Sequence, residues 1–212
     1  MARQSKRSGR HLPDKGKALG RRAVKTRDLR PRFLIVCEGE RTEPNYFKSF
    51  RVNAVVEVIG TGKNTKSLVE HARALQQQAK KQSKVYSDVW VVFDKDDFTV
   101  DTFNQAIEQA RQAGFGVAYS NEAFELWYVL HFDYMDNAIT RQQYQEILTR
   151  RLERRYDKND LTLYGRLIKL QPAATINAEK LLASYQPGHN PAQNNPCTTV
   201  HLLVKELNQH AR

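Results

Sequence analysis

Apolar positions in this chain alternate between two kinds of stretch. Phe33–Cys37, Ala54–Ile59, Val89–Phe93 and Phe115–Tyr119 are short runs rich in branched and aromatic residues, each too short for a helix and each reading as a buried strand. Between them lie segments of helical spacing. Thr42 can cap a helix whose first turn holds Glu43 and Pro44 and whose apolar face is Tyr46, Phe47 and Phe50. Over Thr65–Lys81, Leu68, Ala72, Leu75 and Ala79 share one face, and over Asp101–Ala113 the inward set is Phe103, Ala106, Ile107 and Ala110, with Gly114 closing the helix. Ser120 and Asn121 read as the cap of a further helix beginning NEAFELWYVLHF.

Strand and helix in strict alternation predict an α/β domain over residues 32–132: a mostly parallel four-stranded sheet flanked by helices. After it the pattern changes. Arg141–Tyr156, Leu161–Leu170, Ala173–Tyr185 and Thr198–His210 carry helical spacing and no strand signal, and the loop Gln186–Pro196 interrupts them. Residues 133–212 are therefore expected to be a helical C-terminal part packed on the sheet domain.

Charge divides the chain differently. Residues 1–30 hold eleven Lys and Arg against Asp14 and Asp28, so nine of the eleven formal positive charges sit there. With almost no apolar periodicity, residues 1–31 read as a basic tail that cannot fold alone. Arg21, Arg22, Lys25, Arg27 and Arg30 are its candidate contacts to a nucleic-acid backbone; a solvated arm is the plain alternative. Pro13, Gly16, Gly20 and the lack of an amphipathic face argue against a mitochondrial presequence, and no apolar run suits a secretory signal or a membrane span. Cys37 and Cys197 match no metal or redox spacing, which suits a reducing cytoplasm.

Candidate chemistry gathers where two strands end. The first run stops at Glu38-Gly39-Glu40 and the third at Asp94-Lys95-Asp96-Asp97. Parallel strands end at one sheet edge, where open α/β sheets bind ligands. Carboxylates crowded there repel one another, and a hard divalent ion relieves this; Glu38, Asp94, Asp96 and Asp97 are the candidate ligands of Mg²⁺ or Mn²⁺. If the strand stays extended past Asp94, alternation turns Lys95 away and lets Asp94 and Asp96 address one ion. Glu122 and Glu125, three apart near the same edge, read in isolation as first-turn acids favoured by the helix dipole, and Lys63 and Lys95 are candidates for offsetting transition-state charge. Each of these acids also has a plainer reading as a turn residue or first-turn helix acid. The loop GTGKNT lacks the phosphate-loop spacing, since Glu57 and Asn64 stand where Gly and Ser or Thr are required; Lys63 beside a helix start at Thr65 can still hold a polynucleotide phosphate. His71, His131 and His201 form no ligand spacing.

The segments VCEGERTEPNYF, VFDKDDF and YSNEAFELWYVLHF, with GTGKNT and NPCTTV, resemble the RloB-like proteins, which are grouped with TOPRIM-type nucleases of bacterial defence and abortive-infection systems. The resemblance covers nearly all of Phe33 to Leu207. It implies a TOPRIM-like (Rossmannoid) sheet, Glu38 as the acid of the first motif, Asp94 and Asp96 as the DxD pair on Mg²⁺ or Mn²⁺, one or both of Glu122 and Glu125 as extra metal or substrate residues, and nuclease activity on DNA or RNA, tRNA included. It also implies an ABC-type ATPase as partner. In the related overcoming-lysogenization-defect nucleases an acid often stands four positions beyond the glutamate; here that position is Thr42, and Glu40 and Glu43 are given no ligand role. A non-catalytic nucleic-acid-binding subunit of a defence ATPase is the competing expectation.

Overall fold

The computed structural model describes residues 30–62, 65–96 and 98–211. Five strands form one sheet in the order β2-β1-β3-β4-β5. β1 (Arg32–Cys37) lies between β2 (Val55–Gly60) and β3 (Asp88–Asp94), and β4 (Gly116–Asn121) follows β3, all parallel. β5 (Cys197–Thr198) pairs antiparallel with Ser120 and Asn121 of β4. The expectation of four strands is thus corrected to five. A two-residue strand has no periodicity to read, and Thr198 falls within the helix expected over Thr198–His210.

Alternation along the strands feeds two cores. Phe33, Ile35 and Cys37 of β1, Val92 of β3 and Ala118 of β4 face one side; Leu34, Val36, Val91, Phe93, Val117 and Tyr119 face the other. The second side is covered by α2 (Thr65–Lys81) and α3 (Val100–Gln112); the expected face of α3 is buried, and that of α2 is buried except for Leu75, which is only partly so, with Val69 buried beside it. The first is covered by α1 (Thr42–Lys48) and α4 (Glu125–Val129) together with α5 (Arg141–Arg151), α6 (Leu163–Leu167), α7 (Gln171–Ala183) and α8 (Val200–Asn208). Leu148, Leu167, Ala174, Ala178, Leu203 and Val204 belong to the same cluster as Ile35 and Trp127, so the later helices complete the core above β1. Burying both faces is what makes the strands near-continuously apolar.

Three boundaries differ from expectation. β4 runs on through Ser120 and Asn121, because both pair with β5, and α4 starts only at Glu125. α5 ends at Arg151 rather than Tyr156. Glu153 takes φ +55°, its N–H donates to the Arg150 carbonyl and that of Arg154 to the Thr149 carbonyl, the two bonds of a left-handed helix terminator. Leu161–Leu170 resolves into α6 and a 3₁₀ turn at Ile168–Leu170. Among the described residues no helix is long and apolar enough to cross a membrane.

Candidate functional site

β1 and β3 end side by side, and the register carries their acids to one place. Cys37 pairs with Val92, and the next amide, that of Glu38, donates to the Val92 carbonyl at 2.9 Å. From the other side Gly62 N–H donates to the Glu38 carbonyl at 2.8 Å, so Glu38 is clamped between the ends of β2 and β3. Its Oε2 accepts the Asp94 amide at 3.3 Å. Asp94, the last residue of β3, is 9% exposed. Its Oδ2 accepts the Phe124 amide at 3.1 Å, whereas Oδ1 is buried with no hydrogen-bond partner.

The chain does not stay extended beyond Asp94. Lys95 N–H donates to the Ser120 carbonyl, Asp96 N–H to the Glu122 carbonyl, and Asp96 adopts φ +42°, a conformation Asp tolerates better than most residues. A turn, and not strand alternation, therefore brings Asp96 to the site. Both aspartates then meet Arg141, the first residue of α5: its Nη2 lies 2.7 Å from Asp96 Oδ1 and 3.5 Å from Asp94 Oδ2. α5 is fixed by reciprocal bonds between Thr140 and Gln143, which aims Arg141 from its first turn into the carboxylates.

These residues line a cleft of about 380 Å³ together with Glu43, Glu125, Gln145 and a rim holding Arg41 and Lys158. Glu43 is 6% exposed in the first turn of α1, and a side chain at Gly39 would collide with its carboxylate, so glycine is what lets the loop lie against it. Glu125 Oε1 accepts the Tyr156 hydroxyl at 3.2 Å. Burial is the main cause that pushes the Glu43 carboxyl up to about 7, with Glu125 and Asp96 adding to it and Arg141 opposing. Burial, then Glu43 and Glu125, raise Asp94 well above the usual carboxylate range, again against Arg141. The floor is acidic and short of positive charge.

Of the residues singled out from sequence, Glu38, Asp94, Asp96 and Glu125 come together in this cleft. Glu122 and Lys95 do not line it; Glu122 contributes its carbonyl to the Asp96 turn, and Lys95 Nζ turns to the Asp96 carbonyl at 3.4 Å. Arg30 is exposed ahead of β1. Asp97, Lys63, Arg21, Arg22, Lys25 and Arg27 lie outside the described residues. His131 is buried against the Trp127 carbonyl and His201 is buried in α8, both away from the cleft.

Sequence reasoning missed Glu43, Arg141 and Tyr156. The spacing of Glu43 from Glu38 does not match the acid four positions on, yet Glu43 stands in the first turn of the helix leaving that edge. Arg141 left a faint signal, a cation at a helix N-terminus where the dipole disfavours it. Among the described residues no three His, Cys, Asp or Glu side chains are grouped as a ready-made cation cage. The cleft combines hard oxygen donors on its floor with Arg41, Arg141 and Lys158 above them, an arrangement suited to a divalent ion and a phosphate.

No curated protein and no solved structure matches the chain. A family model does, over residues 33–207, a span that takes in every residue of the cleft, and the chain belongs to that family, described as RloB-like protein.

Proposed function

We propose that this chain is a metal-dependent nuclease hydrolysing phosphodiester bonds in DNA or RNA, built on a TOPRIM-like sheet. Asp94 carries the reading. One oxygen of its buried carboxylate is anchored by the Phe124 amide while the other has no partner, and it faces a cleft shared with Glu38, Glu43, Asp96 and Glu125. A buried polar oxygen left without a partner is costly unless something binds there. The donors are all carboxylate oxygens, which fits Mg²⁺ or Mn²⁺ and fits no soft metal. Glu38, Asp94 and Asp96 would hold the ion. When bound, it supplies a Lewis acid that offsets charge on a phosphoryl oxygen and acidifies a water.

The chain's own groups do the rest. Arg141, now on Asp96 and Asp94, presents a guanidinium that would hold a phosphate oxygen in the cleft. Glu43, buried at the floor of the cleft, would exchange a proton with the attacking water; Glu38 is the alternative base. Tyr156 fixes the orientation of Glu125. The resemblance extends the proposal to an effector of phage defence working with an ABC-type ATPase in the cytoplasm, and the free, buried Cys37 and Cys197 suit a reducing compartment.

The contact of Arg141 with Asp94 and Asp96 favours a second reading, in which the acids are neutralised internally and the protein only binds nucleic acid. Incubation of the full chain with plasmid, single strands and total tRNA, in Mg²⁺, Mn²⁺ or chelator, separates the two. The nuclease reading expects metal-dependent cleavage that Asp94→Asn abolishes. Equal cleavage by parent and variant rejects it.

A further inference from the structure

Beside the acidic cleft runs a second groove that the chemistry above leaves unused. Arg141 and Gln145 of α5 face the cleft, while Gln142, Gln145, Thr149 and Arg150 line the groove with Arg155 and Tyr156, so the two join at Gln145. Helical spacing accounts for this, since positions three and four apart form continuous rows. The terminator at Glu153 then reverses the chain. Tyr156 is tied to Thr149 Oγ1 through its amide at 3.0 Å and to Glu125 through its hydroxyl, so the reversed segment is fastened to the floor of the acidic cleft. Lys158 returns to the rim of that cleft.

The charges along this path are not equivalent. Arg151 is paired with Asp133 and Arg154 with Asp160. Arg150, Arg155 and Lys158 are exposed and, among the described residues, have no salt-bridge partner. The groove's acid, Glu146, accepts a hydrogen bond from Gln142 at 3.0 Å. From Arg141 to Arg150 is about 14 Å of helix, the reach of a few nucleotides. Cations without salt-bridge partners, Lys158 at the rim of the acidic cleft and Arg150 and Arg155 along the groove beside it, outnumber Glu146 there and are complementary to a polyanionic chain.

From this we infer that a single nucleic-acid strand leaves the acidic cleft along the α5 groove, with Arg150, Arg155 and Lys158 holding its phosphates. The inference rests on the phosphodiester reading of the cleft. It locates strand binding on the folded body, in addition to the basic N-terminal tail.

The test uses the full chain, a fluorescein-labelled twenty-nucleotide single strand and anisotropy in chelator across a salt series. The groove variant Arg150→Ala/Arg155→Ala/Lys158→Ala is compared with Lys80→Ala/Lys81→Ala/Lys84→Ala, which removes the same charge at the far end of α2. The groove variant is expected to bind at least about tenfold more weakly, with the log–log salt slope reduced by about 2, since each phosphate contact on a single strand contributes about 0.7. The control is expected to stay within about twofold of the parent. Equal losses in both variants, or parental binding by the groove variant, overturn the inference. Because the readout needs neither metal nor cleavage, a failed nuclease reading leaves this result to stand or fall separately.

Discussion

The amide of Asp94 donates to the carboxylate of Glu38 at 3.3 Å, so two acidic strand ends fifty-six positions apart are joined by a direct bond. The contact follows from β1 and β3 being parallel neighbours with Cys37 opposite Val92. It also leaves several carboxylates in one poorly solvated place, with Arg141 as their main counter-charge.

Glu43→Gln keeps the size of a buried side chain and removes a charge that is both desolvated and repelled by Glu125 and Asp96. In chelator at pH 8 the variant should be more stable than the parent by roughly 1–2 kcal/mol, read as a higher Tm. Cleavage should fall at least about a hundredfold, as expected when a general base is lost. A variant no more stable than the parent would show that Glu43 is not strained by its neighbours.

Arg141→Ala should do the opposite. Its guanidinium is partly exposed, so the pair contributes less than a fully buried one, and a loss of about 1–2 kcal/mol is expected in chelator. Saturating Mn²⁺ should restore most of that stability if a cation takes the place of the guanidinium. Thermal denaturation with and without Mn²⁺ checks both halves. A variant equally destabilised in both conditions would separate Arg141 from the cation balance.

Burial lowers His131 and His201 to about 4 from an ordinary value of 6.5. Between these values the unfolded chain binds protons that the folded chain refuses, so the neutral rings favour the native state above pH 6.5 and the advantage is lost as pH falls towards 4. Each ring contributes up to roughly 3 kcal/mol across that window. In His131→Gln or His201→Gln the steepness of the stability loss between pH 6.5 and 4 should be visibly reduced; an unchanged profile would contradict the assignment.

Glu153 occupies a left-handed position at φ +55° that ends α5. Glycine adopts it without the Cβ clash, so Glu153→Gly should stabilise the chain by about 0.5–1 kcal/mol with the groove unchanged. Urea denaturation measures the gain, and a loss would mean that the Glu153 side chain makes a contribution larger than the strain.

What could be read in advance was what has a period or an order. Phe33, Ile35 and Cys37 alternate with Leu34 and Val36, and that alternation is the two-sided burial of β1. Glu38 and Asp94 follow apolar runs whose parallel pairing brings their ends to one edge, which is why that juxtaposition was visible. Asp96 arrives by a turn made with the Ser120 and Glu122 carbonyls, a tertiary contact with no local signature. Arg141 comes from a helix whose docking depends on Tyr144 and Leu148 filling a core shared with five other helices, and helical spacing says only that such a face exists. β5 consists of Cys197 and Thr198 alone, held by the edge of β4, and no pattern announces so short a strand.

Calorimetric titration of the full chain with Mn²⁺, beside Asp94→Asn, tests most directly whether the strand-end carboxylates form a cation site. Saturable binding by the parent that is lost in the variant is the predicted result. An inert parent, or equal binding by both proteins, would contradict it.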